Sequence, residues 1–328
     1  MPFLPDFENK TLFMVLFTLA FVVALIYLYK TLSKDINPYK EGFVQMQKFI
    51  LKRDADAYDE FYAHIYDKIH LPEDRCKNEL KLILEATSAD ETSVFLDVGS
   101  GTGETLKMLN DVGARCFGID KSEAMVKTSK SKCLSRADPS ESRADPSESR
   151  ANSRADSEVS IKNADVLDAM NYDRQTFSHI LCLYHTIYEI ENKAKFFQNC
   201  RYWLKNGGVL VVHLVNKQKF NTVMPAAHPD MIDNPQKYVS DRITKSSINF
   251  IDFSYDSKYD IQDGPVSIIM ETFTDTATHK IRQNERRLFM ESEDAILKTA
   301  LNNGFSLHGK INLETVNNDE HQSLYLLI

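Results

Sequence analysis

The sequence predicts an α/β domain: a largely parallel sheet with helices on both faces. From Ser93 onward, short apolar runs alternate with amphipathic stretches. The order is VFLDVG, a helical stretch over residues 104–112, RCFGID, and a helix from Ser122. FSHILCLY, a helix over residues 192–204 and GGVLVVHLV complete it. Apolar strands separated by helices are strands buried on both sides, as a parallel sheet requires. Size agrees: 328 residues, 43% hydrophobic and 26% charged, suit one globular domain with appendages. Its core is large enough to need no disulfide or metal.

The first elements lie outside that pattern. Residues 1–10 are a short tail, and residues 11–29 read TLFMVLFTLAFVVALIYLY, nineteen residues without a charge. At about 1.5 Å rise per residue such a helix matches the ~30 Å hydrocarbon core of a bilayer, so a transmembrane helix is expected. A cleaved signal peptide and a buried soluble helix are the rival readings. Against the first, Lys10 is offset by Asp6 and Glu8, and the run ends Tyr-Leu-Tyr-Lys with no small-x-small cleavage site. Against the second, the run is apolar all round. Lys30, Lys34 and Lys40 follow it and only Lys10 precedes it, which places the remainder, as a single-pass membrane protein, in the cytosol. No N-x-[ST] sequence follows Tyr29, in agreement.

Residues 30–57 read as a connector with a short amphipathic helix through Phe43, Met46, Phe49 and Ile50. The domain proper is expected over residues 58–328. Tyr58, Phe61, Tyr62, Ile65, Tyr66 and Ile69 recur at helical spacing, and a second helix covers 77–86. Residues 135–158 hold SRADPSE twice and then degenerate copies. With no large apolar residue to bury, this insertion is expected to be disordered. Residues 216–290 are expected to form a lid: β-prone segments at 247–256, 266–275 and 278–290, in an antiparallel meander after the fifth strand. Ser292 then caps a helix that stops at Gly304, and strands at 306–313 and 323–328 close the chain.

The sharpest chemical signal is VFLDVGSGTGE, residues 94–104. A buried strand delivers Asp97, and Gly99, Gly101 and Gly103 turn the chain into a helix while leaving room for a ligand against the backbone. Dinucleotide-binding loops space their glycines G-x-G-x-x-G and hold a pyrophosphate on the helix N-terminus. Here the spacing is G-x-G-x-G with an acid two residues ahead, which suits a cationic amine and disfavours a nicotinamide-dependent oxidoreductase.

LDVGSGTG resembles the first motif of class I S-adenosylmethionine (SAM)-dependent methyltransferases, and later landmarks fall in order. FGID, ending in Asp120, resembles the second strand, whose terminal acid holds the ribose hydroxyls in that family. Asn163-Ala-Asp165-Val166 resembles the segment that edges the adenine, and residues 177–190, with Leu183, resemble the fourth strand and its loop. WLKNGGVL resembles the turn into the fifth strand. Ser178 stands where the family commonly has Asp, and Asn206 where Pro is frequent. The resemblance implies a seven-stranded Rossmann-like sheet, SAM as cofactor, and Tyr66 as an aromatic closing over it.

Residues after the fourth and fifth strands then become candidates for acceptor chemistry: Tyr184, His185, Tyr188 and Glu189, with His213 and Asn216, and His228 in the lid. The expected activity is methyl transfer to a small or lipid-like acceptor that the sequence does not name; the alternative is a SAM-binding regulatory or scaffold protein without turnover. A net charge of -8 argues against a broad nucleic-acid footprint. Five scattered cysteines, none in a C-x-x-C pair, point to reduced thiols and no metal site.

Overall fold

The computed structural model describes Met14 and residues 16–25, 48–134, 159–227 and 235–328. It divides into a unit of residues 1–46 and one of residues 47–328. In the first, residues 16–25 are helical with exposed side chains. Among the described residues no helix is long and apolar enough to cross a membrane, so the span expected over residues 11–29 is not supported here. Most of the connector, the SRADPSE insertion and His228 lie outside the described residues.

The larger unit contains the expected parallel sheet. Its strands are β2 (Val94–Val98), β3 (Arg115–Asp120), β4 (Val159–Asn163), β5 (Phe177–Cys182), β6 (Leu204–Val215), β11 (Leu307–Asn312) and β12 (Gln322–Leu327). They lie in the order β11-β12-β6-β5-β2-β3-β4. β2 pairs in parallel with β3 and β5, whereas β12 runs antiparallel to β6. The order reverses between β2 and β5, which opens a crevice at their carboxyl ends. All five residues of β2 are buried, each large apolar one contributing about 1.5–3 kcal/mol. Ser178, the departure from the usual Asp, bonds the Val94 N–H (2.8 Å) and carbonyl (3.1 Å) and so ties β5 to β2.

Helices α1 (Glu60–His70), α2 (Pro72–Thr87), α3 (Glu104–Asp111) and α4 (Glu123–Leu134) precede or follow the first strands. α5 (Thr186–Glu189), α6 (Lys193–Trp203), α7 (Glu293–Asn302) and α8 (Glu314–Asn317) complete the set. Leu80 and Ile83 of α2 and Leu106 and Leu109 of α3 pack on Phe95, Leu181 and Val211. As the sequence predicts, Ser292 caps α7, its side chain accepting from the Ala295 N–H.

A second sheet, ordered β1-β10-β9-β8-β7, extends the expected meander from three strands to five. It contains β1 (Phe49–Arg53), β7 (Lys245–Asn249), β8 (Phe253–Asp260), β9 (Val266–Asp275) and β10 (Ile281–Phe289). The segment expected at 247–256 is a hairpin: a turn closed by Phe250 N–H on Phe253 O splits it into β7 and β8. β1 replaces the end of the expected connector helix. Ile50 alone is buried in it, between exposed Phe49 and Leu51, a period of two, and its backbone pairs in parallel with β10.

Arg282 of β10 fastens this sheet to α1. It is 1% exposed, and its guanidinium grips Asp59, the N-cap of α1, through two bonds of 2.8 and 3.0 Å. Nη2 also donates to Ala57 O (3.2 Å), Nε to Asn284 (3.0 Å), and the group lies 4.6 Å above the Phe61 ring. Removing it leaves Asp59 with only the Tyr62 N–H (3.2 Å) and Lys52 (3.6 Å), and deprives the Asn284 carbonyl of its donor. Arg282→Ala is expected to lower the unfolding free energy by about 3–5 kcal/mol in urea. Arg287→Ala, breaking an exposed pair with Asp54, is expected to change it immeasurably.

Candidate active site

At the carboxyl ends of β2–β5 lies a cleft of about 460 Å³, floored by the glycine loop and walled by β8–β10. The loop is fixed by backbone geometry. Gly99, Gly101 and Gly103 have φ of 64°, 52° and 83°. A Cβ on Gly103 would lie 2.0 Å from Ser129 Oγ of α4 and 3.0 Å from its Cα, so helix and loop meet too closely for a side chain. Gly103 thus supports the cleft from behind, as the N-cap of α3, whereas Gly99 and Gly101 line it.

The expected acids converge on this loop. Asp120 Oδ2 accepts from Gly101 N–H (2.9 Å) and Oδ1 from Ser122 N–H (2.8 Å). Burial outweighs these donors and raises its carboxyl above the ordinary value. Asp97 is 4% exposed and lines the cleft, and its carboxyl has no hydrogen-bond partner in the described protein. Burial, with the Asp120 charge, pushes it up to about 8. A buried carboxyl with its face open to a cleft is matched by a ligand cation.

Asp165, Val166 and Leu183 line the same cleft. Burial would raise Asp165, but the Leu167 N–H and the Lys121 ammonium at 3.0 Å hold it below the usual range. Thr102 of the loop donates to Asp67 of α1 (2.6 Å), and Lys132 of α4 bridges Asp67 and Glu104 (2.7 and 2.8 Å). These bonds lock α1, loop and α4 together.

The far end of the cleft is a buried polar network. Tyr184 lines it with φ of 54°, a left-handed backbone at a bulky residue. Its hydroxyl meets His70 Nδ1 at 3.4 Å, and His70 Nε2 meets the Tyr62 hydroxyl at 3.2 Å. Tyr62 donates to Glu271 Oε1 (2.8 Å), so its oxygen is left to accept from His70. The network therefore assigns the proton of His70 to Nε2 and leaves the Nδ1 lone pair facing Tyr184. Burial, followed by the charges of Arg286 and Arg75, holds the imidazole well below its ordinary value and keeps it neutral. Arg286 joins Glu271 (3.0 Å) to Glu189 (2.8 Å) and also donates to the Tyr58 and Tyr62 hydroxyls. Tyr66 lines the cleft with its ring stacked on His70, 4.1 Å between centroids.

Among the acceptor candidates, Tyr184, His185 and Glu189 line the cleft. Tyr188 and His213 do not. Tyr188 is fully buried, its hydroxyl accepting from Val215 N–H (2.8 Å) and donating to Val215 O, a packing role. His213 is enclosed on β6, its ring 6.4 Å from that of His185. Asn216 lies at a separate hollow, where it accepts from Gln218 N–H. The five cysteines are free and, among the described residues, no cluster fits a metal ion.

Sequence reasoning missed His70, Arg75, Tyr259, Glu271 and Arg286, all at or behind this end. A signal existed for two of them: Arg286 falls in phase with buried Leu288, and Glu271 with buried Phe273, at the period of a strand. Nothing in the sequence said which face was inward.

Residues 96–212 match the family of methyltransferase domains. The chain is 30% identical over 133 residues to a phosphoethanolamine N-methyltransferase of Plasmodium falciparum. That match spans 40% of this chain and 42% of the relative. An S-adenosylmethionine-dependent methyltransferase from Clostridium acetobutylicum superposes with a TM-score of 0.57 at 16% identity, covering 81% of this chain and 96% of its own. The CcbJ methyltransferase of Streptomyces caelestis gives 0.57 at 17%, covering 83% and 97%. At such identities the likeness shows the fold alone. Residues 96–212 thus match a methyltransferase domain, and the larger unit has the fold of SAM-dependent methyltransferases.

Proposed function

We propose that the chain transfers a methyl group from SAM to a small acceptor held between the glycine loop and β8–β10. One observation carries this: a single cleft joins an unpaired buried carboxyl, Asp97, to a phenol backed by a neutral imidazole, Tyr184 and His70. In this reading Asp97 meets the methionyl amine, Asp120 the ribose hydroxyls, and Asp165 with Val166 the adenine. Tyr66 and Leu183 flank the ligand. When bound, SAM supplies a methyl already activated on a sulfonium, so the protein's contribution is alignment and proton removal.

The second task falls to the far end of the cleft. An acceptor N–H or O–H beside Tyr184 passes its proton to the phenol oxygen as the phenol proton moves to His70 Nδ1. Burial raises Tyr184, so the phenol carries its proton before the reaction. The relative's name, phosphoethanolamine N-methyltransferase, supports a small amino-alcohol as acceptor class. We propose further that residues 11–29 anchor the chain in a membrane with the domain on the cytosolic side, near a lipid-like acceptor. The support is the nineteen uncharged residues and the lysines that follow them.

The functional reading is tested by screening small amines and alcohols for release of S-adenosylhomocysteine (SAH). Tight SAM binding with no release from any acceptor would favour a regulatory binding protein. With an acceptor in hand, Tyr184→Phe is expected to lower kcat about 100-fold and to leave SAM affinity unchanged.

Asp97 gives a second test. At pH 7 its carboxyl, with a value of about 8, is mostly protonated in the free protein. A ligand cation favours the ionised form, so binding expels that proton and affinity rises as pH rises from 6 toward 8. Calorimetry in buffers of different ionisation enthalpy should show uptake by the buffer of up to about one proton, absent in Asp97→Asn. For the anchor, the chain is expected to stay with membranes through an alkaline carbonate wash, and a form starting at Thr31 to be released.

A further inference from the structure

We propose that the acceptor end of the cleft takes a cationic amine and excludes the phosphate ester of the same amine. This rests on the methyl-transfer reading above and narrows it, away from the phosphorylated acceptor in the relative's name.

Charge pairing carries the argument. Four cations line the cleft among the described residues, and each already has an acid. Arg75 pairs with Glu79 (3.4 Å), Lys121 with Asp165 (3.0 Å) and Arg287 with Asp54 (2.7 Å). Arg286, the cation beside Tyr184 and Tyr259, is shared by two carboxylates, Glu189 and Glu271. Both its terminal nitrogens are committed, and its Nε is sealed from solvent. A phosphate placed there would lie against two carboxylates with no free guanidinium edge to bind it. The histidines do not change this sum, because burial keeps His70 and His185 neutral. Two acids around one cation leave a net negative charge, and Glu189, one-third exposed, presents it to the cleft.

A separate observation marks the ligand's position. The Tyr259 hydroxyl, on a residue 5% exposed, lines the cleft without a hydrogen-bond partner in the described protein. That hydroxyl faces the cleft, where a ligand N–H or O–H can bond it. Tyr259 and Glu189 thus offer an acceptor oxygen and a carboxylate to one ammonium or amino-alcohol, while Tyr184 receives its proton. The donors at this end are phenols and the Arg75 guanidinium, but the charge around them stays negative: Glu79, Glu189 and Glu271 stand against Arg75 and Arg286.

The test is calorimetric titration of the full chain with N,N-dimethylethanolamine and with its phosphate ester, each with and without SAH. The amine is expected to bind at least about tenfold more tightly than the ester. Glu189→Gln is expected to weaken the amine about fivefold and to leave the ester unchanged or improved, a reversal that a merely misfolded pocket does not produce. Equal or tighter binding of the ester overturns the proposal, as does binding of neither compound. Failure of SAH to bind would instead overturn the cofactor reading, and the amine-to-ester comparison without SAH still decides the charge preference.

Discussion

Arg286, held between Glu189 and Glu271, is the interaction on which the site depends. Desolvating one guanidinium and a fully buried carboxylate costs several kcal/mol per ion, and is offset here by bonds to both terminal nitrogens. Here the partners come from three places: Tyr58 and Tyr62 from the N-terminal helical region, Glu189 from the loop after β5, and Glu271 from β9. The triad therefore couples the second sheet to the parallel one at the mouth of the crevice. Lys193 adds a second tie, its buried ammonium bonding Ile190 O, Phe289 O and Glu291.

The same arrangement sets the chemistry. Glu271 accepts from the Tyr62 hydroxyl, the Tyr62 oxygen accepts from His70 Nε2–H, and the free imidazole nitrogen is thereby aimed at Tyr184. Tyr184 holds a left-handed backbone immediately after β5, a strain that persists because Arg75 lies 4.1 Å over its ring and His70 bonds its hydroxyl. The opposite end is governed by a different constraint, close approach. Gly103 and Gly99 let α4 and α5 pack directly on the loop, which brings Asp97 and Asp120 to one cavity. One end presents an unpaired acid, the other a hydrogen-bonded network around Arg286.

The parallel sheet and the cofactor end were legible because local sequence determines them: buried strands are apolar, and a left-handed turn demands glycine. Asp97, Gly101, Asp120 and Asp165 all fall at one cleft as the motif implied. The acceptor end was less legible because it is assembled from residues more than a hundred positions apart, such as His70 with Tyr184 and Tyr62 with Glu271. Tyr188 and His213 looked equivalent to Tyr184 in sequence, and only the turn of α5 and the period of β6 put them elsewhere. β1 was misread because FILKR carries too few residues to separate a helical stripe from a strand, and its pairing partner lies at Ile281.

The central claim is that one cleft orders the cofactor and the acceptor in line between Asp97 and Tyr184. A crystal structure with SAH tests it most directly. The account predicts the amine of the ligand at Asp97, its ribose at Asp120, and its sulfur directed toward Tyr184, Tyr259 and Glu189. Density that places the adenosine outside the glycine loop, or turns the sulfur away from the Arg286 network, would contradict it.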